Sequence, residues 1–565
     1  MCYILKKNEI YVLLVSIALA LLPLMLLRDF TPQNELRYLS IADEALRNHV
    51  FFAFSNHGEP YADKPPLYFW LLMLGRTILG SHQMWFIALL SFIPAAVTVL
   101  LFYHWTQNEL NDKWRIPAAL LLMTSGLYLS LSFIVRMDML MTMFIALALH
   151  SFYRLAEPGS ACPAVGGQGT GQSAQSAGQS VLFSHRSVSL GTERWLFPLW
   201  VFLAVFSKGP VGILMPLVTS ISYLLLLKRG REILKFWGLR TCGVIVLLCL
   251  IWFGGVFSEG GWAYYIDNLL INQTVGRAVH SFAHREPVYY YLESVWYTLA
   301  PWSFLVIGLL AVILIRRRIT SRLQLFFLCA ALSTFVMLSL ASGKLQVYLL
   351  PAVPFMVYAA ALSLPQYAGR GWVRLCIVVP ALLQCVFLPA LLFFKPGADF
   401  AYLELPAVKF GAVMITLGGG AALYCLLRRG HDLARAVKCM SAALFLGLFL
   451  AGFALPAANE WLGYRVICAQ ALKTARQEGI THFAAWNLRR AENLDVYLGV
   501  GVTVLANKAD PNAEFASSGP VVLITRSRDL PRVQGGAHTE TWGKFALTVL
   551  NDPCSSKPCV KSSGF

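Results

Sequence analysis

Residues 10–27 have the sequence IYVLLVSIALALLPLMLL, an apolar run without a charged side chain. A helix of about 20 apolar residues spans the roughly 30 Å hydrocarbon core of a bilayer. Similar runs recur along the chain as far as residue 456. Because these runs are continuous and do not alternate with polar residues, they predict membrane helices and exclude a transmembrane β-barrel.

The composition also indicates a polytopic membrane protein. The chain has 565 residues, of which 57% are hydrophobic and 13% are charged, and its mean hydropathy is +0.61. Soluble domains usually contain about 25% charged residues. The net charge of +17 would suit nucleic-acid binding, but the Lys and Arg residues form short clusters between apolar runs, as cytoplasmic loops do. We therefore expect no nucleic-acid partner.

Hydropathy and the distribution of Lys and Arg together predict a topology. We predict an all-α polytopic membrane protein with thirteen membrane helices and a cytoplasmic N-terminus, because this orientation puts every basic cluster in a cytoplasmic loop. The first run lacks a small-residue cleavage site before Arg28, so we predict that it is retained as a helix. The helices are expected at residues 10–28, 83–105, 115–133, 138–155, 194–207, 210–227, 237–257, 296–315, 322–341, 346–364, 371–394, 407–427 and 437–456.

Three regions do not fit the membrane pattern. We predict a transmembrane domain at residues 1–456. Within it, residues 29–65 form the first outer loop, and residues 36–46 have the apolar spacing of a helix that lies along the membrane interface. Residues 156–193 are rich in Gly, Ser, Gln and Ala and predict a disordered cytoplasmic insertion. The odd number of helices puts 457–565 outside the cytoplasm.

The last region predicts a small soluble α/β domain. Short strands are expected from Thr481 to Trp486, from Thr503 to Ala506 and from Val521 to Thr525, between helical segments. Cys554 and Cys559 lie in its polar tail and could form a disulfide in an oxidising compartment, although spacing alone does not establish the bond.

Charged residues on the predicted outer face cluster in six short stretches. The excess of Lys and Arg in cytoplasmic loops does not explain charges on the outer face. Because ionisable groups beside lipid are costly, these stretches together predict one functional site. The stretches contain Asn34-Glu35-Leu36-Arg37-Tyr38, Asp63-Lys64-Pro65-Pro66, Arg136-Met137-Asp138, Ser207-Lys208-Gly209-Pro210, Gly276-Arg277 with Arg285-Glu286-Pro287, and Gly343-Lys344.

Mixed cations and carboxylates at a membrane surface suit a lipid-linked phosphate substrate. Lys and Arg bind phosphates, and Arg does so with two parallel hydrogen bonds. The same cations stabilise the charge that develops on a departing phosphate. A carboxylate can activate an acceptor hydroxyl or orient the basic groups.

The order of these stretches resembles the polyprenyl-phosphate-sugar glycosyltransferases, in particular the 4-amino-4-deoxy-L-arabinose lipid A transferase family. That family is related to the dolichyl-phosphate-mannose protein mannosyltransferases. Its P-D-E-x-R-Y and E-K-P-P motifs correspond to residues 32–38 and 63–66 here, and its G-K-x-x-x-Y-x-L-P motif resembles the stretch from Gly343 through Tyr348 to Pro351. The resemblance covers roughly residues 8–365.

Two positions differ from the family pattern. The first acid of P-D-E-x-R-Y is Asn34 here, and an amide cannot accept a proton as a general base. The Glu of E-K-P-P is Asp63, which keeps the charge on a shorter side chain. A phosphate acceptor is already anionic and needs no base, so Asn34 favours a phosphate over a hydroxyl acceptor unless Glu35, Asp63 or Asp138 acts as the base.

The resemblance implies an integral membrane glycosyltransferase that moves a sugar from a polyprenyl phosphate, undecaprenyl phosphate in bacteria, to a lipid A-type phosphate at the periplasmic face of the inner membrane. We predict catalytic or orienting carboxylates and donor-phosphate ligands, with further residues lining the site. The carboxylates are Glu35, Asp63 and Asp138; the phosphate ligands are Arg37, Lys64, Lys208, Arg277, Arg285 and Lys344; the lining residues are Asn34, Tyr38, Arg136 and Tyr348.

Two alternative functions share these features. An enzyme of the same superfamily could glycosylate a protein hydroxyl, and a transporter of lipid-linked sugars would also bind the donor. We expect no cofactor and no resident metal. His280 and His284 are four residues apart, as helical metal ligands can be, but no third ligand is evident.

Overall fold

The membrane part of the chain is a bundle of helices. A computed structural model describes residues 8–158, 190–265, 286–394, 396–428, 431–506, 511–514, 520–533 and 536–550. Eight helical segments in these ranges are long and apolar enough to cross a membrane, and four shorter apolar helices accompany them. This architecture confirms the predicted helical membrane fold, while the count of thirteen crossings stays a prediction.

The first half of the bundle contains the helices between residues 9 and 208. Its helices are α1 (Glu9–Leu27), α2 (Glu35–Asn48), α3 (Leu67–Leu79), α4 (Met84–Trp105), α5 (Asp112–Met123), α6 (Gly126–Leu131), α7 (Asp138–Ala156) and α8 (Leu190–Lys208). A two-stranded hairpin, β1 (Ser55–Asn56) with β2 (Glu59–Pro60), separates α2 from α3. Residues 159–189, most of the predicted insertion, lie outside the described residues.

The second half of the bundle contains the remaining helices of the membrane part, long and short. They are α9 (Val211–Leu226), α10 (Ile233–Trp237), α11 (Leu239–Ser258), α12 (Trp262–Tyr265), α13 (Tyr290–Thr298), α14 (Ser303–Arg316), α15 (Arg322–Leu340), α16 (Val353–Ala361), α17 (Leu364–Tyr367), α18 (Gly371–Phe393), α19 (Pro406–Leu427) and α20 (Leu433–Gly452). Short 3-10 turns cover Gly230–Glu232, Gln346–Ala352 and Ala398–Glu404.

The helix predicted at 115–133 is divided in two. Gly126 begins α6 and donates its backbone N–H to the Ala300 carbonyl at 2.7 Å. A Cβ at this position would lie 3.1 Å from the Tyr297 carbonyl oxygen. The indole N–H of Trp302 also donates to the Thr124 hydroxyl at 2.8 Å. The segment around residues 297–302 therefore packs into the break between α5 and α6. Hydropathy does not predict such a tertiary contact.

The C-terminal region has the α/β composition that its sequence predicts. Its helices are α21 (Leu455–Leu462), α22 (Arg465–Glu478), α23 (Asp495–Leu498) and α24 (Pro511–Glu514), with 3-10 turns at Ala491–Leu494 and Ser527–Arg532. The strands are β3 (His482–Trp486), β4 (Thr503–Leu505), β5 (Val521–Arg526), β6 (Gly536–Trp542) and β7 (Phe545–Leu550). They form one sheet in the order β4-β3-β5-β7-β6.

Three of these five strands were expected and two were not. β3 pairs in parallel with β4 and β5, whereas β7 pairs antiparallel with β5 and β6. The β6–β7 hairpin was missed, although every residue of β7 is buried. The predicted division of the chain at residues 456 and 457 stays a prediction, and Cys554 and Cys559 lie outside the described residues.

The C-terminal region packs directly on α2. Leu36 and Leu39 on the apolar face of α2 share a core with Tyr464 and Ile467 of the C-terminal region. Asp29, just after α1, accepts hydrogen bonds from the Arg465 backbone N–H at 2.8 Å and from the Tyr497 hydroxyl. The amphipathic helix predicted at 36–46 is thus present, and its apolar face is buried inside the protein.

Candidate functional site

A buried ion cluster lies where α7 begins and α8 ends. Asp138 is the first residue of α7 and is 1% exposed. Its carboxylate accepts a hydrogen bond from Nε of Arg136 at 3.0 Å and another from the ammonium of Lys208, the last residue of α8. Because α7 and α8 pack against each other, the start of one and the end of the other meet, and two separate sequence stretches form one charged group.

Tyr348 is the fourth residue of this cluster, after Asp138, Arg136 and Lys208. The Lys208 ammonium lies 4.7 Å from the centre of the Tyr348 ring, which is the geometry of a cation–π contact. Gly209 follows Lys208 with a φ of +109°, a conformation that favours glycine and that ends α8 at the lysine. The Gly-Pro break in the sequence therefore positions the ammonium at the helix end.

Arg37 and Tyr38 add the first outer stretch to the cluster. Tyr38 is buried, and its ring meets the rings of Tyr68 and Phe69 edge-on. Arg37 lies over the Tyr38 and Tyr61 rings, with its guanidinium carbon 5.8 and 5.4 Å from their centres.

The ionisation of two of these groups reflects their proximity. Burial raises the pKa of the Tyr38 hydroxyl, and the positive charges of Arg136 and Arg37 oppose that rise. Burial would lower the pKa of Arg136, but the Asp138 carboxylate outweighs it and the net shift is upward. Arg37 and Arg136, which are 99 residues apart in sequence, thus both act on the Tyr38 hydroxyl.

Glu35 connects three segments next to the Arg136–Asp138 stretch. Its carboxylate is fully buried and receives two hydrogen bonds from the Arg28 guanidinium, at 2.7 and 2.8 Å. The backbone N–H groups of Thr31 and Val135 donate to it at 2.7 and 2.9 Å. Four donors occupy this carboxylate, so its geometry suits a residue that positions the Arg136–Asp138 loop. Its predicted action on a substrate stays a prediction.

The other residues of the first outer loop lie beside these groups. Asn34 precedes α2, is half-buried and makes no capping hydrogen bond with its side chain. Asp63 and Lys64 are half-buried between β2 and α3. Ala62, the preceding residue, packs with Phe202 and Phe206 of α8. This contact brings the Asp63-Lys64 segment against the helix that ends at Lys208.

Lys344 is buried but its known partners are backbone groups. The side chain is 3% exposed, and its ammonium donates to the carbonyls of Glu286 at 2.9 Å and Ala341 at 2.6 Å. The predicted phosphate ligands Arg277 and Arg285 lie outside the described residues. The contact with Glu286 nevertheless links Lys344 to the segment that follows Arg285 in the chain.

Arg28 and Tyr61 are site neighbours that sequence analysis missed. Arg28 directly follows the first apolar run, a position typical of the charged residue that ends a membrane helix, although a charged residue there can also enter an outer site. Tyr61 precedes the Asp63-Lys64 motif by two residues. In the described ranges no group of three His, Cys, Asp or Glu side chains is placed to hold a metal ion. His280 and His284 lie outside those ranges, and the absence of a resident metal stays a prediction.

Comparison with known proteins confirms the resemblance that the motifs predict. A family model described as dolichyl-phosphate-mannose-protein mannosyltransferase matches residues 63–166. An undecaprenyl phosphate-alpha-4-amino-4-deoxy-L-arabinose arabinosyl transferase of Pseudomonas aeruginosa is 23% identical over 401 residues, which are 69% of this chain and 66% of the relative. The chain thus spans slightly less than two thirds of that relative's length. The transferase of the same name from Erwinia tasmaniensis is 23% identical over 514 residues, 86% and 85% of the two chains.

The fold is shared with a solved crystal structure. The crystal structure of ArnT from Cupriavidus metallidurans bound to undecaprenyl phosphate superposes with a TM-score of 0.71 at 16% identity, covering 96% of this chain and 98% of that one. Its apo structure gives a TM-score of 0.66 at 17% identity. This similarity confirms the expected fold of a multi-pass membrane protein.

Proposed function

We propose that this protein is an integral membrane glycosyltransferase that transfers a sugar from a polyprenyl phosphate, in bacteria undecaprenyl phosphate, to a lipid A-type phosphate. The observation that carries the proposal is the buried cluster in which Asp138 holds Lys208 and Arg136, with Arg37 beside them. Four groups from three distant stretches converge there. Structural ion pairs do not need such convergence at one end of a helix pair.

The charges of the cluster match those of a leaving phosphate. Arg37, Arg136 and Lys208 carry three positive charges and Asp138 one negative charge, so these four groups carry a net charge of +2. A sugar-linked polyprenyl phosphate is a diester with one negative charge, and the released monoester approaches two. The cations therefore stabilise the departing phosphate more than the bound donor, which is the condition for accelerating the reaction.

The transfer step follows from this arrangement. An acceptor oxygen forms a bond to the anomeric carbon of the sugar, while the bond from that carbon to the donor phosphate oxygen breaks. The electron pair of the broken bond stays on the phosphate, next to Lys208 and its neighbours. With a phosphate acceptor, the attacking oxygen is already anionic and no proton has to be removed.

Several observations support a phosphate acceptor. Asn34 replaces the first acid of the resembled motif, and both Glu35 and Asp138 are engaged by positively charged partners. Asp63 is the most exposed of the three predicted carboxylates. The relatives' names describe transfer of 4-amino-4-deoxy-L-arabinose from undecaprenyl phosphate. We propose the same donor class for this chain, with Asp63 orienting the sugar or the acceptor.

The proposed orientation puts the site at the periplasmic face of a bacterial inner membrane. Every basic loop cluster falls on the cytoplasmic side when the N-terminus is cytoplasmic, and the cluster around Lys208 then lies at the opposite side. The C-terminal region packs on α2, which carries Arg37 and Tyr38. We propose that this region covers the site and steadies α2.

Two alternatives lead to different products. Transfer to a protein hydroxyl has some support in the mannosyltransferase description of the matching family model. Transport of the lipid-linked sugar would need charged groups that are accessible from both sides of the membrane. Mass spectrometry of lipid A and of periplasmic glycoproteins, with and without the gene, separates the three functions.

The experiment includes a control variant, Lys235→Met, which removes the same charge as Lys208→Met at a different position. Loss of a sugar from lipid A, restored by the wild-type gene and by Lys235→Met but not by Lys208→Met, is the expected result. Lys235 is an exposed lysine at the predicted cytoplasmic side. Loss of a sugar from protein, with lipid A unchanged, would assign the protein-modifying function. Accumulation of donor on the cytoplasmic side would assign transport.

A further inference from the structure

A groove runs between α1 and α20 on the outside of the helix bundle. It has a volume of about 660 Å³, and its floor is formed by Ile116 and Leu120 of α5, which are almost fully buried. Its walls include Val12 of α1 and Leu446 of α20, which are 51% and 46% exposed. Since α1 and α20 are both long and apolar enough to cross a membrane, this groove opens toward lipid.

The two walls run in the same direction and in register. Near their C-terminal ends the helices touch closely, because a Cβ on Gly452 of α20 would lie 2.7 Å from Cβ of Pro23 in α1. Glu9 precedes Pro23 by fourteen residues, and Lys438 precedes Gly452 by the same number. At 1.5 Å per residue both lie about 21 Å from that contact. Glu9 and Lys438 therefore stand level with each other at one end of the groove.

The groove has the dimensions and polarity of a site for one acyl chain. Its lining extends from Glu9 to Ala20 on α1 and from Lys438 to Phe449 on α20. Eleven residues of helix correspond to about 16 Å. Apart from Ser16, whose hydroxyl is bonded to the Val12 carbonyl, the lining beyond the two charged residues is apolar. The groove is thus polar at one end only.

Its charged end carries one group of each sign. Glu9 and Lys438 are both exposed and both line the groove. A headgroup with a phosphate and a primary ammonium complements both, since the phosphate accepts from Lys438 and the ammonium donates to Glu9. A quaternary ammonium cannot donate a hydrogen bond, and a purely anionic headgroup is repelled by Glu9.

We propose that this groove binds a zwitterionic glycerophospholipid with a phosphoethanolamine headgroup. The headgroup lies between Glu9 and Lys438, and one acyl chain follows the groove towards Phe449. This site is distinct from the cluster around Lys208 and does not depend on the proposed transfer reaction.

The test measures lipid retention by the purified full chain. The protein is exchanged into detergent with equal amounts of phosphoethanolamine and phosphocholine lipids that have identical acyl chains, and the bound lipids are counted by native mass spectrometry. We expect the phosphoethanolamine lipid to be retained preferentially by about tenfold, the effect of one hydrogen bond to a charged group. Glu9→Gln should weaken the preference clearly, because its amide oxygen accepts only a hydrogen bond without charge. Lys438→Met should reduce retention of both lipids.

A groove-filling variant tests the position of the acyl chain. Leu446→Trp should release the bound lipid, whereas Leu383→Trp, an equally large change at an exposed position on α18, should retain it. Unchanged thermal unfolding of each variant excludes a general loss of fold. The proposal is overturned if Glu9→Gln keeps the full preference or if Leu446→Trp retains the lipid. Release accompanied by a change in oligomeric state would also overturn it, because the groove would then belong to a contact between two copies.

Discussion

The carboxylate of Asp138 accepts a hydrogen bond from the ammonium of Lys208, although 70 residues of sequence separate them. Asp138 begins α7 and Lys208 ends α8, so the pair joins the ends of two neighbouring helices. Both side chains are nearly fully buried, at 1% and 8% exposure. A buried pair is costly to desolvate and is weak evidence for stability by itself. Its position beside Arg136 and Tyr348 therefore favours a functional explanation.

Asp138→Asn tests whether this carboxylate orients Lys208 or removes a proton. If it orients the ammonium, kcat should fall by about 10- to 100-fold, as it does when an orienting partner of a functional group is removed. The fall should be the same at every pH between 6 and 9, measured with purified enzyme, donor and lipid A.

The same two helices provide the control. Arg154 and Glu193 form an ion pair at the opposite end of α7 and α8, with 2.7 Å between Nη1 and Oε1. Glu193→Gln should leave kcat within about twofold, because Glu193, although buried, lies at the end of α8 far from Lys208. If the plot of kcat against pH for Asp138→Asn lacks the acidic limb that the wild-type plot shows, Asp138 is instead identified as a base.

Glu35→Gln should destabilise the protein. The substitution leaves the Arg28 guanidinium partly buried without an ionised partner, and breaking such a pair costs about 3–5 kcal/mol. Differential scanning fluorimetry of the purified protein should show a clear fall in the unfolding midpoint. Glu232→Gln, which removes a more exposed partner of Arg229, should change the midpoint little. An unchanged midpoint for Glu35→Gln would show that the carboxylate does not hold the three segments together.

Asp63→Asn separates the two acceptor types. For a phosphate acceptor no general base is required, so kcat should stay within about tenfold of wild type. Loss of a general base costs about 10²- to 10⁴-fold. A loss in that range, together with a shift of the pH optimum, would favour a hydroxyl acceptor and would contradict the phosphate proposal.

Asp495→Asn should stabilise the protein at neutral pH. Burial raises the pKa of Asp495, although His57, Ser40 and Arg47 oppose the rise. A carboxyl whose folded pKa lies above its unfolded value loses stability as the pH rises through the folded pKa. The unfolding midpoint of the variant should therefore exceed that of wild type at pH 7, and the difference should vanish as the pH falls towards 4.

Glu44 supplies a control of opposite sign. Burial would raise its pKa, but hydrogen bonds from the Ser55 hydroxyl and from the backbone N–H groups of Gly58 and His57 lower it overall. Its stabilising effect should be present above the unfolded pKa and be lost as the pH falls. Glu44→Gln should thus lower the midpoint at pH 7 and converge with wild type in acid. Parallel pH curves for the two variants would contradict at least one of the two assignments.

The membrane fold was largely predictable because lipid imposes a strong rule on sequence. Each of the thirteen predicted segments contains helix, since every spanning backbone must satisfy its own hydrogen bonds. The break at Gly126 was not predictable, because contacts with Tyr297 and Ala300 set it. The 3-10 turn at Gln346–Ala352 was not predicted either, although Pro351 lies within it. The short helix α3 and the β6–β7 hairpin were missed, the hairpin because the polar residues of β6 resemble a loop.

The site was predictable as a set of stretches, but the part played by each residue was not. Scarcity of charge marked Arg37, Asp138 and Lys208, and the structure brings these stretches together. The same signal marked Glu35 and Lys344, whose buried charges are bound by a guanidinium and by carbonyl groups. Hydropathy reports that a charge is buried, whereas its partners depend on tertiary packing.

Binding of undecaprenyl phosphate to the purified protein tests the role of Lys208 most directly, because it needs neither sugar nor acceptor. Lys208→Met should weaken binding by tenfold or more, about 1.4 kcal/mol. Lys208→Arg should retain part of the affinity, and Lys235→Met all of it. Equal affinity of the wild type and Lys208→Met, with both proteins folded, would show that the cluster around Lys208 does not hold the donor phosphate.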